Sequence, residues 1–331
     1  MTKLMVTETP ARPANRPPPP SPPPASPASP VASPVASGAA RVVRVASFAA
    51  PPPRLWLPVR SVLGGNVGRV RDRADRVLAE LPGCVLAWSD EFDGPAGSPP
   101  SPATWSPQTG GHGWGNRELQ YYSGDAENAS LDGAGHLVIT ADRALPQDRA
   151  RQDGCEYTSA RLTSKDRMAV HYGVVQARMQ IPEGQGMWPA FWMMGQDFDE
   201  VGWPRCGEID VMENFGRDPR TVHGAAHGPG YTGRDFTAAH RTLTSLARGF
   251  HVYSVVWEPG RIRWYLDDRH YATVTPADLG GQPWVFDHDF FLLVNLAVGG
   301  NPSVTPGPSV RFPQRLLVDY IRVYAMPRAP R

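Results

Sequence analysis

The chain has 331 residues, 33 of them basic and 32 acidic, a near-neutral balance that excludes the basic footprint of a nucleic-acid-binding protein. No apolar run approaches the roughly 18 residues of a membrane span, and three cysteines are too few for a disulfide framework. Proline makes up 37 of the 331 residues, about twice the usual share, so part of the chain is expected not to pack.

That part is the N-terminus. Twelve prolines fall between Pro10 and Pro34 among Ala and Ser, and Glu8 is the sole acid before residue 50. Such a segment cannot bury enough apolar surface to offset its ordering entropy, so residues 1–53 are expected to form a disordered tail, either a spacer or a tail without a role. Met1 to Ala50 contains no continuous apolar core of the roughly 7–15 residues found in signal peptides. Residues 54–83 then read as a linker carrying a helix. Between Asn66 and Leu81, Val67, Val70, Ala74, Val77, Leu78 and Leu81 recur at helical spacing with arginines interleaved, and Pro82-Gly83 ends the pattern. An amphipathic basic helix lies on an anionic membrane or docks on its own domain, and docking is the commoner use.

From Val85 onward the pattern becomes short strands punctuated by Gly, Pro, Asn and Asp. Val85–Trp88, His136–Thr140, Val174–Met179, Val252–Trp257, Arg261–Leu266 and Phe290–Leu296 all read this way, with Pro259-Gly260 joining two of them as a hairpin. Many short strands without a long helical period predict an all-β sandwich over 84–326, followed by a short tail at 327–331. Cys206 reads as a small buried hydrophobe.

Two stretches of this domain carry chemistry. In Gly186–Met194, Trp188 and Trp192 share one strand face, and indoles so placed serve either as core or as platforms for sugar rings. In Gly207–Asn214, three acids sit among residues suited to a strand interior. Glu208 and Asp210 share a face, whereas Glu213 has the opposite parity, and one extra residue near Val211 or Met212, a β-bulge, would return it to the side of the other two. Two glutamates reaching over a central aspartate suit glycoside hydrolysis, where one carboxylate attacks and one carboxylic acid protonates the leaving oxygen. The alternatives are a solvated acidic stripe and a cation site. His223 and His227 lie four apart but on a strand pattern, with no glutamate between them, which speaks against zinc.

Glu208-Ile209-Asp210-Val211-Met212-Glu213 resembles the bulged signature of family 16 glycoside hydrolases, specifically the laminarinase-like endo-β-1,3-glucanases. Gly113–Tyr122, Met187–Trp192, His223–Tyr231, Asn295–Asn301 and Leu317–Tyr324 fall in the family's order, so the resemblance runs from about Trp88 to Tyr324. It implies a concanavalin-like β-jelly roll, two antiparallel sheets with a concave sugar cleft, and a retaining endo-acting hydrolase of β-glucan. Glu208 would be the nucleophile, Glu213 the acid and base, and Asp210 the tuning group between them. His227 would contact the polysaccharide; the residues themselves offer Asn116 and Arg161 as hydroxyl ligands, or else as a turn residue and an ion-pair partner of the acids, and Trp188 and Trp192 as the platform. No catalytic cofactor is implied, but a structural calcium is, at Glu91, the backbone of Gly135 and Asp319. A monomer, secreted or wall-associated, fits that activity. A glucan-binding module and a transglycosylase are the other uses of such a fold.

Overall fold

The computed structural model describes residues 43–45, 75–233 and 237–327, all within one unit, Ala40–Arg331. Most of the N-terminal tail, the first part of the expected helix and the last four residues lie outside the described residues.

Two sheets face each other. Among the described residues, the front sheet has nine strands, ordered Val43–Val45, Met168–Val170, Phe290–Val298, Met187–Gly195, Glu208–Glu213, Thr221–His227 and Thr237–Arg241. Ser106–Pro107 and Arg161–Thr163 complete it beside Phe290–Val298. The back sheet has ten strands, and its central run is Arg261–Leu266, His251–Glu258, Gly173–Gln180, Gln314–Ala325 and Leu137–Arg143. Pairing is antiparallel apart from Val43–Val45 with Met168–Val170 and Gln120–Tyr122 with Tyr157–Ser159. The predicted sandwich is therefore present, and Pro259-Gly260 closes the expected hairpin, with Glu258 paired to Arg261.

Alternation along the strands builds two layers of side chains. Phe191, Met193, Ile209, Leu292 and Val294 turn inward to one core with Val175, Ala177, Val255 and Val318 of the back sheet. Ala190, Trp192, Met194, Phe291 and Leu293 turn outward and form a separate cluster with Cys206. A front sheet apolar on both faces beneath a functional surface leaves its polar residues conspicuous, because burying a polar group is costly unless it is partnered.

Two elements are described in the N-terminal portion. Val43–Val45 is a strand although it falls in the span expected to be unstructured. The described part of the helix is Asp75–Ala79, and it docks on the domain: Val77 is buried with Val174, Val256 and Tyr265 of the back sheet.

Candidate active site

The acid strand Glu208–Glu213 carries the bulge its parity required. Against Met187–Gly195, Phe191 pairs with Met212 and Trp192 with Asp210, so Val211 has no opposite residue. On the other side Asp210 pairs with Ala225 and Glu213 with His223, leaving Val211 and Met212 opposite Gly224 alone. Val211 and Met212 consequently both point into the core, and Glu208, Asp210 and Glu213 share the outward face.

Each acid has a partner from a neighbouring segment. Trp203 Nε1 donates to Glu208 Oε2 at 2.7 Å, Trp188 Nε1 donates to Glu213 Oε1 at 2.9 Å, and His227 Nε2 stands 3.0 Å from Asp210 Oδ2. Burial pushes the Glu208 carboxyl up to about 8, with the Asp210 charge adding to the shift while His227 and the Trp203 N–H oppose it. Burial likewise raises Glu213 to about 7, against the pull of the Trp188 N–H. Asp210 is raised well above the ordinary aspartate range by burial and by the Glu213 charge. Three acids crowded in one dehydrated place cannot all ionise, so protons are retained among them near neutral pH.

Beside the acids, a polar network runs through the outward face. Trp192 Nε1 donates to Asn295 Oδ1 at 2.8 Å, and Asn295 Nδ2 donates to the Tyr122 hydroxyl at 3.1 Å. That hydroxyl donates to Glu118 Oε2 at 3.0 Å, which also accepts from Gln120 Nε2 at 2.7 Å. Asn116 reaches the other Glu118 oxygen at 3.3 Å. The Arg161 guanidinium lies between the Trp114 and Trp192 rings, 4.7 and 4.6 Å from their centroids, while its Nε donates to Gln108.

The sequence-derived set is thus brought together, with altered roles for the two tryptophans. Trp188 and Trp192 are each only 8% exposed. Trp188 holds Glu213 and packs on Phe215, and Trp192 is covered by Arg161, so neither is an open stacking platform. Arg161 is near enough to Glu208 to feel its charge, Asn116 reaches Glu118 instead of the three acids, and His227 faces Asp210, whereas His223 packs on Phe215. Trp203, Asn295, Tyr122 and Glu118 were not singled out from the sequence. Asn295 had a signal, as the one polar residue in the strand Phe290–Val298.

Glu208, Asp210 and His227 each present a ligand atom within 4.8 Å of the others, but Glu208 already accepts from Trp203 and Asp210 faces His227. At the expected calcium position, Arg322 grips Glu91 through two bonds of 2.9 and 2.8 Å, and Arg178 donates to Asp319 at 2.5 Å. Gly135 has φ +89° and lies near Asp93. Calcium needs free carboxylate oxygens; these two carboxylates are neutralised by guanidinium groups, so they do not fit the ion as they stand.

Comparison with known proteins agrees with this geometry. The model for glycosyl hydrolases family 16 matches residues 116–309. A beta-glucanase of Rhodothermus marinus is 40% identical over 276 residues, spanning 80% of this chain and 92% of that protein. Among solved structures, the laminarinase catalytic domain of Thermotoga maritima is 41% identical with a TM-score of 0.69, covering 74% of this chain and 99% of that one. The endo-β-1,3-glucanase of Pyrococcus furiosus is 40% identical with a TM-score of 0.70, covering 74% and 96%. By fold, motif and extent of likeness, the chain belongs to glycosyl hydrolases family 16.

Proposed function

We propose that the protein is a retaining, endo-acting hydrolase of β-1,3-glucan. The observation that carries this reading is the bulge at Val211, which sets Glu208, Asp210 and Glu213 on one face. The substrate class is supported by the relatives, whose names describe laminarinases and endo-β-1,3-glucanases.

In this reading Glu208 attacks the anomeric carbon while Glu213 protonates the leaving glycosidic oxygen. A covalent glycosyl ester forms on Glu208, and Glu213, now anionic, takes a proton from the water that cleaves it. The reaction needs Glu208 charged and Glu213 protonated at once, the scarcer of the two singly ionised states while Glu208 stands at about 8 and Glu213 at about 7. Trp203 and His227 favour charge on Glu208. Asp210, whose burial favours the protonated form, supplies a neutral hydrogen-bonding neighbour in place of a second charge. Arg161, Asn116 and the Trp114 loop form the wall along which adjoining glucose units lie.

Reducing-sugar release from laminarin by the full chain, with lichenan, agarose and carrageenan in parallel, tests the reading. Glu208→Gln and Glu213→Gln should each abolish release from laminarin, and proton NMR of the first product should show the β-anomer. Laminarin binding without cleavage of any of the four would instead identify a binding module. Products longer than the substrate would identify glycosyl transfer.

A further inference from the structure

We infer that Trp264 and Gly224 are positioning residues for this reaction, which lock the bulge at Val211 from behind and so keep Glu213 on the face of Glu208. The inference rests on the functional reading above.

A bulge is one residue away from a regular register, and a one-residue slip sends a side chain to the opposite face. If Val211 were drawn back into the ladder, Glu213 would turn into the core and the pair of glutamates would be lost. Something must therefore make the bulged register the favoured one, and its inner side shows what does.

On the inner side the bulge adds a side chain to the layer, since both Val211 and Met212 are buried there. The residue opposite is Gly224, which adds none. Gly224 has the inward parity of Val222 and Ala226, and it is not among the positive-φ glycines. Its use is therefore space and not backbone freedom. A Cβ on Gly224 would lie 2.3 Å from Trp264 Cδ1, 2.7 Å from Trp264 Nε1 and 2.8 Å from the Tyr271 hydroxyl.

Trp264 belongs to Arg261–Leu266 of the back sheet, and through the gap over Gly224 its indole N–H reaches the backbone oxygen of Asp210 at 2.8 Å, with both groups buried. The register breaks immediately after that residue. This cross-layer bond thus ties the backbone of the central acid to the opposite sheet at the point where the ladder is disrupted. A buried N–H left without its acceptor is costly, so a slip that withdraws the Asp210 carbonyl is opposed.

A purely architectural role would look the same in a static structure. Trp257 provides the comparison, because its indole N–H also crosses the core to a backbone oxygen, that of Phe286 at 3.0 Å, away from the acids. The experiment compares Trp264→Phe with Trp257→Phe in the full chain, measuring Tm, kcat and KM on laminarin, and the titration of the Glu213 carboxyl by 13C NMR. We expect both variants to lose similar thermal stability. Only Trp264→Phe should lower kcat, by at least about tenfold, with KM within about twofold and with the Glu213 titration moved toward that of an ordinary glutamate. Equal kcat and equal Glu213 titration in the two variants would overturn the inference. Should the wild-type chain cleave no laminarin, the functional reading fails on its own, and the Glu213 titration still decides whether Trp264 holds the bulge. Gly224→Ala should reproduce the Trp264→Phe titration in an otherwise folded chain; a normal wild-type titration in folded Gly224→Ala would also count against the inference.

Discussion

Trp203 donates its indole N–H to Glu208 Oε2 across 2.7 Å while 49% of the residue remains exposed. An apolar ring left half in solvent beside a half-buried carboxylate is placed for its one polar atom. A hydrogen bond to a charged group contributes about 1.5–3 kcal/mol when buried, and exposure reduces that to about 1 kcal/mol here. Trp203→Phe keeps the ring and removes the donor, so the anion of Glu208 loses support and its carboxyl rises further. Attack needs the anion, and Glu208 already stands above Glu213, so a further rise makes the productive state scarcer and moves the basic limb of the kcat/KM profile, which follows the higher value, to higher pH, with a loss of about fivefold near neutrality. A pH profile of both proteins on laminarin checks this, and an unmoved basic limb would contradict it.

The acids also leave a mark on stability. Glu208 and Glu213 are held up to about 8 and about 7 in the folded chain, chiefly by burial. Between the ordinary glutamate range and those values the folded state binds more protons than the unfolded one. Their contribution is therefore fully present at low pH and is lost as pH rises through the folded values. Glu208→Gln removes the titration while keeping an acceptor for Trp203. It should stabilise the fold at pH 8.5, by on the order of a few kcal/mol, and so raise Tm there, while changing stability little at pH 4.5. Thermal melts at the two pH values measure this, and equal effects at both would refute the account.

How much of this was legible in the sequence follows from the range of the interactions. The three acids and the bulge could be read because strand parity is a local rule: Glu213 had the wrong parity, and only one kind of irregularity repairs it. The short strands and the Pro259-Gly260 hairpin were legible for the same reason. Trp203, five residues from Glu208, gave no periodic signal, because its position depends on the loop that carries it. Strand parity marks Trp188 and Trp192 as site residues, but the burial that turns them from platforms into supports depends on Arg161 and Phe215, which approach from elsewhere in the fold. The same holds at Glu91 and Asp319, where carboxylates that read as calcium ligands meet Arg322 and Arg178. Pairing between distant strands is what the linear pattern does not encode.

Those arginine pairs set an expectation for metal dependence. Glu91 is held by both ends of the Arg322 guanidinium, so its charge is satisfied without an ion. Melting in the presence of EDTA and of millimolar calcium should give Tm values within about 2 °C, since a bound ligand stabilises only where it has a site in the native state. Arg322→Met, which leaves the partly buried Glu91 without its cation, should lower Tm by several degrees. A calcium-induced rise of 5 °C or more would show that the ion displaces arginine and would restore the calcium reading.

Trp188 stands to Glu213 as Trp203 stands to Glu208, with its N–H 2.9 Å from Oε1. The consequence for catalysis is the reverse, because Glu213 must begin the reaction protonated. The Trp188 N–H favours the anion and holds the Glu213 value below what burial alone would give. Glu213 is the lower of the two values, so Trp188→Phe should move the acidic limb of the kcat/KM profile to higher pH, leaving the basic limb in place. It should also lower kcat by about three- to tenfold, since the donor orients the carboxyl as well as tuning it. Comparison of the two Trp→Phe profiles on one substrate separates the acids: each substitution should displace one limb, and different ones. If both displaced the same limb, the division of roles between Glu208 and Glu213 would be wrong.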